Sequence, residues 1–308
     1  MTGTVGVGAP FVRPAAGNRL ACPRVTDVLA PLLALPGVES AVAQARTAVD
    51  GLLSHRVLRR GSAEVTAEAA LRGARASASL EGAGIELERL RGQLMAGGAV
   101  TLPSRDERGA RLVEGAVRLH AELGSVLGAF RHSPRQALAR LHVLAAAQLV
   151  DDPDALGRPR PVGASYDDPL HLGAAPDPLE VAARLDGLAR VLVTGTSAPA
   201  VVVAAVVHGE LMALRAFGTA DGLVARAASR LVLVDRGLDP KAVSAPEVGH
   251  AELSADYAEA LRGYVGGGPP GVARWLVHCA AAVALGAREG LAVCEAIRRG
   301  SSPRPPGS

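Results

Sequence analysis

Leu214-Arg215-Ala216-Phe217-Gly218-Thr219-Ala220-Asp221-Gly222-Leu223-Val224-Ala225-Arg226 is the stretch on which the reading of this chain turns. It joins two runs of helical periodicity, Pro199 to Phe217 and about Gly222 to Arg236, so it reads as a glycine-bearing loop feeding the start of a helix. Asp221 is placed to cap that helix, and the free amides of a helix start attract anions. A carboxylate there works against a phosphate: like unit charges at ~4 Å in an effective dielectric near 20 cost about 4 kcal/mol. Arg215 and Arg226, permanently cationic, offset part of this cost.

Three further stretches bear on the loop. They are Ser77-Ala78-Ser79-Leu80-Glu81-Gly82, Gly157-Arg158-Pro159-Arg160 and Ala204-Ala205-Val206-Val207-His208. In this order along the chain, the four resemble the Fic family. The first fits the [ST]-x-x-x-E-[GN] pattern of an inhibitory helix, the second the G-x-x-R of a substrate-aligning flap, and the third the A-A-x-x-H that leads into the active-site motif H-P-F-x-[DE]-G-N-G-R-x-x-R. Phe217, Gly222 and Arg226 keep that motif, whereas Arg215 replaces its histidine, Thr219 the acidic residue, Ala220 the first glycine, Asp221 the asparagine and Leu223 the first arginine. The resemblance covers roughly residues 25 to 265.

The resemblance implies an all-α Fic-type helical core, an N-terminal helical region carrying the inhibitory motif, and a small β-hairpin flap. It also implies transfer of AMP from ATP to a hydroxyl side chain, with the motif histidine taking the hydroxyl proton. Arg215 cannot take that proton, because a guanidinium stays protonated. His208, seven residues earlier on the same helix, is displaced by roughly 10 Å along the axis and reads as a packing histidine. The expected protein is therefore a degenerate AMP-transferase serving as a nucleotide-sensing or protein-binding module. The alternative is an active transferase that moves a phosphate-containing group by a non-histidine route, with Arg215 as an electrostatic stabiliser.

Gly222, Arg226, Thr219 and Asp221 are the expected nucleotide-binding positions, and Ser77, Glu81 and Gly82 the inhibitory ones. The resemblance pairs Glu81 with Arg226 in a salt bridge, which either regulates the site or braces the N-terminal helices. Gly157, Arg158 and Arg160 are either a peptide-aligning flap or a proline-punctuated surface loop. ATP or another nucleotide is the ligand the resemblance admits; with Thr219 in place of a carboxylate, magnesium is not expected at its usual place. Glu210, Asp167, Asp168 and His171 form no metal-ligand spacing, and no metal residues are assigned.

Composition agrees with closely packed helices around small aliphatic side chains and argues against other classes. The chain has 308 residues, 49% hydrophobic and 20% charged, enough for a large core. Only 2% are aromatic, Lys241 is the single lysine, and the net charge is +3, so neither stacking surface nor basic footprint points to nucleic acid. Cys22, Cys279 and Cys294 have no C-x-x-C spacing, which suggests neither a disulfide framework nor a zinc site. The N-terminus shows no secretion pattern, and the longest apolar stretches, Ala198 to Val207 and Leu276 to Ala287, fall short of the roughly 20 residues a membrane helix needs. A cytoplasmic protein without membrane partners is expected, with a nucleotide and a protein target as partners and its oligomeric state open.

The expected organisation is a flexible leader over 1–24, the N-terminal helical region over 25–100, the core over 101–265, a C-terminal helix over 266–299 and a disordered tail over 300–308. Helices are expected at Val25 to Leu35, Val38 to Arg56, Ala63 to Leu80, Leu87 to Met95, Arg105 to Leu127, Pro134 to about Leu149 and Leu179 to Val193. Beyond the motif they are expected at Ala255 to Val265 and Val272 to Arg298. Asp151 to Pro178, with six prolines, reads as a functional loop that includes the flap.

Overall fold

Helices account for the regular structure of residues 27–300, the part of the chain that the computed structural model describes, and no strand forms among the described residues. The expected leader lies outside these residues, as does the expected tail apart from Gly300. The N-terminal helices are α1 (Val38–Leu53), α2 (Ser62–Leu80) and α3 (Leu87–Met95). Ahead of α1 only a 3-10 turn forms, Ala30–Ala34, because Pro31 and the Pro36-Gly37 break leave no room for a longer helix.

Next come α4 (Glu107–Ala121), α5 (Leu123–His132), α6 (Pro134–Ala146) and α7 (Pro178–Thr194). The single helix expected from Arg105 to Leu127 is two, divided at Glu122, whose ψ of 1° ends α4. Pro134 and Pro178 each occupy a first helical turn, where the missing N–H is no loss, and Asp177 caps α7 by accepting the Leu179 and Glu180 N–H groups at 2.8 and 3.0 Å. The motif helices are α8 (Ala200–Leu214) and α9 (Asp221–Asp235), followed by α10 (Pro246–Glu252), α11 (Ser254–Val265) and α12 (Pro269–Gly300). The sequence reading missed α10, too short to show a period of its own.

α8 is buried on nearly every side, as its uniformly apolar sequence requires. It packs along α9, while α12 lies against α1, α10, α11 and α8, and α2 against α4 and α10. α12 is long and apolar enough to cross a bilayer, unlike the shorter stretches seen in sequence. Yet 61% of its most apolar window is buried in the fold, where it works as the spine.

With few aromatics, the core gains density by letting helix backbones approach. A Cβ on Gly115 of α4 would stand 2.0 Å from the Ala145 carbonyl oxygen of α6, and one on Gly286 of α12 2.5 Å from the Ala245 carbonyl. Alanine at position 115 would gain up to ~1 kcal/mol of helix propensity, but the obstruction is backbone and cannot rotate away. Gly115→Ala is expected to destabilise the protein by about 1–3 kcal/mol net, read as a lower thermal unfolding midpoint; an unchanged or higher midpoint would contradict this packing.

Candidate functional site

The motif loop owes its shape to three left-handed residues: Arg215 (φ 43°), Gly218 (φ 79°) and Ala220 (φ 55°). Arg215 ends α8 and Ala220 precedes α9. Only one of the three is glycine, so the other two carry about 1–3 kcal/mol of strain each that the surroundings must offset. Asp221 is not the N-cap expected from sequence. It is the first residue of α9, Ala220 holds the cap position, and the carboxylate turns back so that the Phe217 N–H donates to Oδ1 at 3.0 Å. Its Oδ2 is buried without a partner. Burial pushes this carboxyl up to about 7, against the lowering effect of the Phe217 and Gly218 amides.

Arg226, one turn further along α9, is buried and fully engaged. Its Nε donates to Ser77 Oγ (2.7 Å), Nη2 to the Ser77 carbonyl (3.0 Å) and to Glu81 Oε1 (2.6 Å), and Nη1 to Tyr257 Oη (3.2 Å). The Glu81–Arg226 ion pair expected from sequence is present. Gly82 explains how Glu81 is aimed. At φ 86° it closes α2 with two bonds, its own N–H to the Ser79 carbonyl and the Ala83 N–H to the Ala78 carbonyl, leaving Glu81 at the helix end. There the carboxylate lies on the first turn of α9, so close that a Cβ on Gly222 would stand 1.9 Å from Oε1. Glu81 thus occupies the anion position of a helix N-terminus.

The loop from Gly157 to Pro176 drapes over the motif loop without forming the expected β-hairpin. Its two backbone contacts there, the Arg160 N–H to the Ala216 carbonyl and the Asp167 N–H to the Gly218 carbonyl, both 2.8 Å, are too far apart in sequence to build a ladder. Arg160 is buried and binds the Arg215 carbonyl (3.0 Å) and that of Pro176. Arg158 is exposed, and Gly157 anchors the loop by donating its N–H to His142 Nδ1 (2.9 Å). The His142 ring stacks on Phe217 at 4.4 Å, which seats Phe217 inward.

Arg215 faces this loop. Its Nη1 meets the Gly173 carbonyl (2.7 Å) and Asp168 (3.2 Å), and its guanidinium lies 5.1 Å from the centre of the Tyr166 ring, which Arg160 also approaches, at 5.2 Å. Arg215 and Arg226 share no partner: the first is bonded to the proline-rich loop, the second to α2 and α11. Thr219 donates to Asp167 Oδ2 (3.0 Å), a carboxylate that Arg108 neutralises at 2.5 Å. This donor set does not suit magnesium, and the carboxyls of Glu81 and Asp221 beside the first turn of α9 disfavour a further anion there.

No family model and no curated protein matches the sequence. Solved structures do. A Fic family protein from Desulfovibrio desulfuricans G20 superposes with a TM-score of 0.67 at 19% identity, over 84% of this chain and 75% of that one. This is a Fic fold. A Fic-1 fragment from C. elegans (TM-score 0.62, 16% identity, 86% and 74% coverage) is similar as well. So is a Fic domain containing signaling protein from Bacteroides thetaiotaomicron VPI-5482 (0.58, 13%, 83% and 98%). Within this Fic fold the residues missed in sequence are Tyr166 and Tyr257, the first holding Arg160 and Arg215, the second Arg226. Their scarcity was the available signal: the chain has three tyrosines, and two of them serve arginines of the motif region.

The raised carboxyl of Asp221 sets a pH dependence. Between the ordinary aspartate value of 3.8 and about 7, the folded state holds a proton that the unfolded chain has released, so the stability this group contributes is present below that window and lost through it as pH rises. Asp221→Asn, which keeps an oxygen for the Phe217 amide, is expected to raise the thermal midpoint by a few degrees more at pH 8 than at pH 5. Equal shifts at both values would show that the carboxyl does not titrate there.

Proposed function

We propose that this chain is a catalytically silent protein of the Fic fold that acts by binding a protein partner, its phosphate cradle held shut by its own side chains. The observation that carries the reading is the Glu81 carboxylate lying on Gly222 and paired with Arg226. Loss of the proton acceptor supports it. Arg215 cannot fill that role, and His208, the histidine nearest on the same helix, is fully buried with Nε2 2.9 Å from Tyr257 Oη. In wild-type protein incubated with labelled ATP, GTP, UTP or CDP-choline, no label is expected to reach protein. Transfer by wild type would overturn the reading in favour of a non-histidine route, while transfer by Arg215→His alone would identify the missing base as the whole defect.

Nucleotide sensing is the second reading, favoured by the survival of Arg226, the residue to which the resemblance assigns the terminal phosphate. Two carboxylates stand in the way, so Glu81→Gly alone leaves the titratable Asp221 carboxyl against the loop. The double variant Glu81→Gly/Asp221→Asn is expected to bind ATP at least about tenfold more tightly than either single variant, a difference of ~1.4 kcal/mol in calorimetric titration. If the double variant binds no better than wild type, the cradle has no residual use for nucleotide.

A further inference from the structure

Behind Arg226, helices distant in sequence converge on a buried cluster of soft donors. His208 of α8, His250 of α10 and Cys279 of α12 are all buried, and a donor atom of each lies within 4.8 Å of the others. Donors around one ion at ~2.0–2.3 Å stand roughly 3.5–4 Å from one another, so the triangle closes with a contraction of about 1 Å. We propose that His208, His250 and Cys279 form a three-coordinate site for a soft monovalent cation, Cu(I).

The two imidazoles are oriented as ligands are. One nitrogen of each ring is held by a neighbour, His208 Nε2 by Tyr257 Oη at 2.9 Å and His250 Nδ1 by His278 Nε2 at 3.1 Å, which leaves each ring a second nitrogen. His208 Nδ1 is buried with no hydrogen-bond partner, an unusual state for a polar atom at full burial. A neutral imidazole has one acceptor nitrogen, and the ring tautomer in which the neighbour-bonded nitrogen carries the proton turns the other to an ion. The Cys279 thiol is a free, buried cysteine, and binding an ion displaces its proton.

Charge selects the ion. The Arg226 guanidinium reaches Tyr257 Oη at 3.2 Å and so stands just behind His208, already paired with Glu81. A divalent ion on one thiolate would add a net positive charge to this core. Cu(I) bound to the Cys279 thiolate adds none: the S–H bond breaks, the S–Cu bond forms, the proton leaves to solvent, and no electron is transferred. Cu(I) also favours thiolate and imidazole donors.

Trp275, the only tryptophan, has its ring centre 5.0 Å from that of His208 and reports on the site through its fluorescence. The test uses the full chain with Cys22→Ser and Cys294→Ser, so that Cys279 is the sole thiol. Cu(I) is supplied under anaerobic conditions both to folded protein and during refolding, against a chromogenic Cu(I) chelator. The expected result is one equivalent bound, quenched Trp275 emission, and loss of both on further substitution Cys279→Ser, with circular dichroism unchanged. No uptake by either route, uptake that survives Cys279→Ser, or uptake of Zn(II) in preference to Cu(I) would overturn the proposal. Should Cys279→Ser fail to fold, His250→Gln in the same background serves in its place, with the same loss expected.

Discussion

The Arg226 guanidinium is the constraint around which the rest of the molecule is arranged. A buried cation is tolerable only when its donors are met, and four separate bonds from α2 and α11 meet them. Removing one partner of such a buried pair costs about 3–5 kcal/mol, because the remaining charge is stranded. The helix carrying Ser77 and Glu81 is therefore held to the motif helix by charge as well as by packing. The end of α2 and the start of α9, which carry opposite partial charges, face one another through a single carboxylate.

Much of this was legible in sequence because it is written in local patterns. The helices α2, α3, α7, α11 and α12 follow from apolar periodicity bounded by proline and glycine, and the placement of Glu81 opposite Arg226 follows from the motif resemblance. The resemblance also led to the Fic fold, at 13 to 19% identity to the solved structures it matches. What was not legible depends on three-dimensional neighbours. Asp221 has an N-cap's composition, but the left-handed turn at Ala220 moved the helix start, and its carboxylate satisfies Phe217 instead.

Arg215 shows the same limit from another side. Sequence places a cation where a histidine stands in the resembling motif, but it does not say which groups that cation meets. Tyr166, Asp168 and the Gly173 carbonyl, all in the proline-rich loop, surround the guanidinium. Nothing in local composition reports that loop's path, because it is set by two isolated backbone bonds to the motif loop rather than by a repeating ladder. The missing hairpin and the contacts of Arg215 go together: the loop folds against Arg215 rather than upon itself.

The left-handed residues Arg215 and Ala220 carry a consequence for recognition. Glycine at such positions leaves a loop many conformations of similar energy, whereas side chains there are tolerated only in the one that the neighbours enforce. The motif region is thereby a rigid relief with little capacity to remould itself. Whatever docks against it meets a finished shape, and adaptation on contact has to come from the visitor.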